Sequence, residues 1–483
     1  MTDLLITGGT IITMDPNRRV IDDGVVAIEN DRIVGVAPKS DYQADSPAAE
    51  TIDATGMVVM PGLIDGHGHA GHGLIKTLGT GPSGGWYPAC EAIYAEGSDE
   101  QFWHAEAMLT LLERLKFGTT TGVTFFGGGD SVMRVDDPVY GAQRCQAIEK
   151  IGIREFLAVG PRKGPFPSKF AQWDGNTKKD IEVSFVQQKD TCQTLIDQWH
   201  GKADGRINLS LAYPVHTPKQ NALSAAESAE MKEQARAVRD MSKRHSLLFT
   251  QDGHSRGSVK FAHEELDILG PDALLSHSTG LTDEEIAICA ETDTRISHNP
   301  SSNFSVTARC PVPELLDAGV TVCIGSDGTA PDRSYDMFRH MFHCMHYQRT
   351  HYHDANYIPP GKALEMVTID SARALGMEDE IGSLEAGKKA DVILVDMQKP
   401  HLYPMNMPVH RITYFANGND VDTVVVNGKI LMRNRQVPGI DESEILDLAQ
   451  RATDKALERT ELRHMLETPT ASGGRASTQS REG

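Results

Sequence analysis

The chain opens with short apolar runs broken by turn residues. Leu4-Leu5-Ile6 leads to Gly8-Gly9 and then Thr10 to Met14, and Gly24 to Ile28 turns at Asn30-Asp31 into Arg32 to Val36. Runs this short with such punctuation predict strands, not helices. The pattern returns near the other end, where Ala390 to Asp396 and Val421 to Val426 precede Asn427-Gly428, a hairpin signal, and Lys429 to Met432. Two β segments flanking a long middle predict one small β-sandwich domain built from both chain ends, residues 1–60 and 385–440.

Between them, strand-like and helix-like stretches alternate. The strand-like ones are Pro61 to His69, Thr119 to Phe125, Arg154 to Gly160, Ile207 to Tyr213, Leu247 to Gln251, Ala273 to His277, Thr294 to His298 and Thr321 to Asp327. Amphipathic segments such as Glu106 to Lys116 and Ser224 to Arg244 lie between them. Eight β/α units predict an α/β fold, a parallel (β/α)8 TIM barrel over residues 61–384. Its active site then sits at the C-terminal ends of the strands. Residues 441–467 read as a C-terminal helix, and the Ser-, Thr-, Gly- and Arg-rich tail 468–483 as disordered.

Composition narrows the class. A net charge of −20 argues against nucleic acid or an anionic membrane as partner, since both need a basic face. Seven scattered cysteines without a C-x-x-C suit reduced thiols in a cytoplasmic protein. The N-terminus lacks a signal-peptide pattern, and no apolar run approaches the length of a membrane span, about 18 residues or more. A small-molecule substrate and a homo-oligomeric state are expected.

His67 and His69 alternate with glycine at the end of the first strand and so share a face, the simplest arrangement for two imidazoles on one metal ion. Alone, H-x-H matches by chance. Here His277, His298 and Asp327 also fall at strand ends, where surface residues would not collect. Asp327 has a second reading, a helix N-cap, and His277 another, a satisfied polar group at a strand end.

Several segments in order resemble the metal-dependent amidohydrolase superfamily, in its triazine hydrolase, cytosine deaminase and adenosylhomocysteine deaminase-like branch. They include Pro61 to His69, Phe117-Gly118-Thr119-Thr120-Thr121, Leu281 to Ile286, Ser297-His298-Asn299-Pro300-Ser301-Ser302-Asn303, Gly325-Ser326-Asp327-Gly328 and Gly382 to Asp391. The resemblance implies one divalent metal, zinc first, with Co2+, Mn2+ or Fe2+ as alternatives. His67, His69 and Asp327 would be its ligands, Asp327 the proton carrier, and His277 the contact to water and substrate oxygen.

The fifth strand departs from the pattern. Where the family shows His-x-x-Glu, this chain has Gln251-Asp252-Gly253-His254. Gln251 is then at most a weak amide ligand, and His254 a replacement ligand or a group that positions water or substrate. Without the glutamate, the usual protonation of a heteroaromatic ring nitrogen is missing. The expectation is therefore hydrolysis of a small apolar amide, urea or carbamate, similar to the phenylurea and thiocarbamate hydrolase subgroup. Removal of an amino group or halide from a heteroaromatic ring is the alternative, and a non-catalytic binding relative the second. Trp86, Arg162, Tyr213, His298 and Asn303 are the candidate substrate contacts around the barrel mouth. The cluster His340, His343, His346, His351 and His353 has only Asp354 as a carboxylate to complete a second metal site.

Overall fold

A computed structural model describes residues 2–43, 47–79, 85–129, 132–217, 223–305 and 308–466, so the tail read as disordered lies outside the described residues. Eight strands, Leu63–His69, Thr119–Phe125, Arg154–Val159, Ile207–Ala212, Phe249–Gln251, Ala273–Ser276, Arg295–His298 and Val322–Ile324, pair in parallel in chain order. Their residues are almost all buried, which is why they read as continuous apolar runs and not as alternations. The first and eighth strands meet at a seam bridged by the Asp327 amide donating to the His67 carbonyl, 2.9 Å. The Ser326 amide donates to Asp65 Oδ1 at 2.8 Å across the same seam. This closes a (β/α)8 barrel.

A second sheet draws on both chain ends. Its order is Lys429–Met432, Val421–Val426, Val392–Asp396, Met57–Pro61, Leu4–Ile12, Val20–Glu29 and Arg32–Pro38, with Glu50–Asp53 branching from Leu4–Ile12. Leu4, Ile6, Val26, Ile28, Leu384 and Val392 form a core of its own. Met57–Pro61 runs through Gly62 directly into the first barrel strand. A Cβ at Gly62 would stand 2.1 Å from Thr120 Oγ1, so only glycine lets the two sheets join there.

Caps set the helix starts. Asp99 accepts from the Phe102 amide and starts helix Glu100–Lys116 ahead of the expected Glu106. Ser224 and Glu227 form a capping box ahead of Ala225–Arg244. At the C-terminal end, helix Glu442–Arg459 is followed by a short helical turn, Leu462–Leu466. The hairpin Ser168–Asp174 with Thr177–Val183 was not expected, because its second strand is polar and mostly exposed. Among the described residues, no helix is long and apolar enough to cross a membrane. All seven cysteines are free and buried.

Beneath the mouth lies a fully buried ionic network. Arg114 Nη2 donates to Asp65 Oδ2 at 2.9 Å, and Arg144 joins Glu106 at 2.8 Å. Asp65 also accepts from Ser326 Oγ, 2.7 Å, so the network locks the turn that carries Asp327. Removing one member leaves an uncompensated buried charge. Arg114→Met is expected to cost about 3–5 kcal/mol, read as a lower urea midpoint; an unchanged midpoint would contradict the assignment.

Candidate active site

The first strand delivers His67 and His69, the turn after the fifth delivers Asp252, and the turns after the sixth and eighth deliver His277 and Asp327. His67 Nε2 lies 3.2 Å from His69 Nε2 and 3.2 Å from Asp252 Oδ1. Asp327 Oδ1 is 3.5 Å from His67 Nε2 and 3.2 Å from His69 Nε2, and Asp252 Oδ2 is 3.6 Å from His69 Nε2. His277 Nε2 spans the two carboxylates at 3.1 Å to Asp252 and 3.2 Å to Asp327.

Donors about 2.0–2.2 Å from a divalent ion stand about 3.0–3.5 Å apart along the edges of its coordination shell. The separations between the histidines and from them to the carboxylates, 3.2 to 3.6 Å, lie at or close to that spacing. His67, His69, Asp252 and Asp327 are also the one group of potential metal donors among the described residues, all within 4.8 Å of one another. The residues fit a divalent metal ion.

Neighbours aim each donor. His69 Nδ1 donates to the Gly127 carbonyl at 2.8 Å, which leaves Nε2 as the free lone pair. Tyr335 donates to the His69 carbonyl at 3.0 Å. Ser276 Oγ donates to Asp252 Oδ1 at 2.7 Å. Arg333 Nε lies 3.4 Å from Asp327 Oδ2 and leaves Oδ1 facing the cluster. His277 and Asp327 adopt left-handed backbones, φ 65° and 62°, which non-glycine residues tolerate mainly where surrounding structure holds them. Here the His277 amide is tied to the Ser297 carbonyl at 3.0 Å, and the Asp327 amide to His67.

The electrostatics follow. Burial alone would raise both carboxyls, but His69, His67 and His277 around Asp252, and His277 and Arg333 around Asp327, hold them well below the carboxylate range. Burial pulls His277 down, and Asp327 and Asp252 more than reverse it, to about 10. Burial takes His254 to about 3 despite the pull of Asp252, and takes His298 to about 3 as well.

The residues singled out from sequence divide into two groups. His67, His69, His277 and Asp327 come together. Gln251 does not join them: its amide donates to the Tyr213 and Pro214 carbonyls, 3.1 Å each, and its oxygen faces His254 Nε2 at 3.2 Å. His254 Nδ1 is held by Ser258 at 2.8 Å, so this imidazole braces the fifth-strand turn behind the cluster.

Among the substrate candidates, Arg162 pairs with Glu91 at 2.7 Å and Tyr213 donates to the Met231 carbonyl at 2.9 Å. The Asn303 amide donates to the Ala308 carbonyl, 3.0 Å. His298 is fully buried with both ring nitrogens free of hydrogen bonds. Trp86 meets the His72 ring edge-on at 5.1 Å. Among the described residues, His340, His343, His346, His351 and His353 form no ion pair with a carboxylate; Ser301 Oγ sits between His340 and His343 Nδ1 at 2.9 and 2.8 Å.

Three residues escaped sequence reasoning. Asp252 lies one position past the expected ligand; the signal was a carboxylate at the very end of a barrel strand. Gly127 acts through its carbonyl, which no side-chain pattern reveals. His72 is buried 4.5 Å from the His69 ring, again with both nitrogens unpaired. As a third histidine, three residues past the H-x-H, it was legible.

The profile of the amidohydrolase family matches residues 58–431. A 5'-deoxyadenosine deaminase of Methanococcoides burtonii is 32% identical over 473 residues, covering 96% of this chain and 100% of the relative. A 5-methylthioadenosine/S-adenosylhomocysteine deaminase of Moorella thermoacetica is 32% identical over 466 residues, 92% of this chain and 97% of the relative. Among solved structures, a zinc-bound adenosine deaminase of Xanthomonas campestris has the same fold at a TM-score of 0.79, with 23% identity over 95% of this chain and 99% of that one. Atrazine chlorohydrolase of Arthrobacter aurescens, complexed with zinc, gives 0.76 with 22% identity over 93% and 100%.

Proposed function

Because this chain belongs to the amidohydrolase family, a class of metal-dependent hydrolases, we propose that it is an aminohydrolase that releases ammonia from a purine nucleoside of the adenosine type. The observation that carries this reading is the end-to-end likeness to deaminases of 5'-deoxyadenosine at 32% identity. It favours ring deamination over the urea or carbamate cleavage expected from sequence.

The objection to ring chemistry was the missing fifth-strand glutamate. The cluster answers it with a different acid. We assign that role to His277, whose Nε2 stands 3.1 Å from Asp252 and 3.2 Å from Asp327 and so is placed to relay a proton to a ring nitrogen. Asp327 takes a proton from the attacking water and returns it to the departing amine, and His277 recovers its proton from the new hydroxyl as the carbonyl forms. Overall, the ring carbon exchanges its amino group for the water oxygen, ammonia leaves, and the ring keeps a carbonyl. A divalent cation bound here supplies water acidified toward a pKa of about 7. His72, Trp86 and Phe125 border the histidines with apolar and aromatic surface suited to a flat base.

The test is a panel of 5'-deoxyadenosine, 5'-methylthioadenosine, S-adenosylhomocysteine, phenylureas and carbamates, with ammonia and aromatic amine followed separately. Ammonia from an adenine nucleoside at a kcat/KM above about 10⁴ M⁻¹s⁻¹ is expected. Aromatic amine from the ureas, with no ammonia from any nucleoside, would overturn the proposal.

A further inference from the structure

We infer that Asp252 is a metal ligand standing in for the fifth-strand imidazole, and that it narrows the centre's preference for zinc over the harder ion Mn2+. The family pattern would put a neutral histidine at position 251, where this chain has Gln251. That amide turns away to the Tyr213 and Pro214 carbonyls. The carboxylate of the next residue fills the gap, 3.2 Å from His67 Nε2 and 3.6 Å from His69 Nε2. Gly253, at φ 93°, turns the chain straight after it. Ser276 holds the carboxylate from behind at 2.7 Å.

The exchange alters the donor set in two ways. Two imidazoles now face two carboxylates, so oxygen and nitrogen donors are equal in number. Two formal negative charges also oppose the two positive charges of the ion. Carboxylate donors suit Mg2+, Ca2+ and Mn2+, whereas imidazole suits zinc among the softer ions. Zinc still binds more tightly in absolute terms, following the general order of divalent affinities. What Asp252 narrows is the gap.

The experiment measures dissociation constants of Zn2+ and Mn2+ for metal-stripped full-length protein by competition with a chromogenic chelator. It compares the unmodified chain with Asp252→His and Asp252→Asn. Asp252→His is expected to widen the Mn2+-to-Zn2+ ratio of dissociation constants at least about tenfold, the usual scale of a change around a metal. Asp252→Asn is expected to weaken both ions, manganese more than zinc. It carries the test alone if the histidine variant does not fold, judged by circular dichroism. Ratios within twofold of the unmodified chain would overturn the inference. These constants are read without any substrate, so the outcome is independent of which amine the enzyme releases.

Discussion

Asp327→Asn is expected to lower kcat/KM for ammonia release by about 10³–10⁴-fold, or about 4–5.5 kcal/mol of transition-state stabilisation. Asparagine keeps the shape of the side chain and the hydrogen bond from its backbone amide to His67. It loses the charge that faces His277 and Arg333 and can no longer accept the water proton. The buried lock of Asp65, Ser326 and Arg114 is untouched, so the fold should hold. With metal content matched, steady-state kinetics should show the loss mainly in kcat. Activity within tenfold of the unmodified enzyme would remove Asp327 from proton transfer.

Acid should weaken the fold steeply well above the carboxylate range. His254 and His298 are fully buried and titrate at about 3 in the folded chain, against 6.5 for a free imidazole. Above pH 7.5 both states are neutral and nothing is lost. Below 6.5 the unfolded chain binds two protons that the folded chain refuses, so stability falls with pH. The two groups together contribute a slope of roughly 2.7 kcal/mol per pH unit once the unfolded imidazoles are protonated. Urea unfolding at pH steps from 7 to 4.5 would read the slope, and His298→Leu should lower it by roughly 1.4 kcal/mol per pH unit, the share of one proton. A slope unchanged by that substitution would contradict a neutral, buried His298.

Which parts were legible in the sequence has a physical basis. The eight barrel strands appear as apolar runs because both of their faces are covered, and their expected ends fall within about three residues of the observed ones, the usual scatter of boundaries. The hairpin Thr177–Val183 hides because its strand is dominated by Lys, Asp and Glu facing water. At the site, His67 and His69 were visible as an H-x-H on the first strand, and His277 and Asp327, in turns just past the sixth and eighth strands, through the segments shared with the family. Asp252 was not, because the strand stops at Gln251 and the residue after a strand end no longer obeys its alternation. Family spacing pointed at Gln251, and only the turn at Gly253 explains why its neighbour faces inward. Likewise Arg162 sits near the mouth in sequence, yet Glu91 engages it.

The most direct test is anomalous X-ray scattering from crystals grown with one equivalent of a divalent transition metal. A single peak enclosed by His67, His69, Asp252 and Asp327, with Gln251 turned toward Tyr213, is the predicted result. A peak elsewhere, or one whose shell excludes the Asp252 carboxylate, would contradict the account.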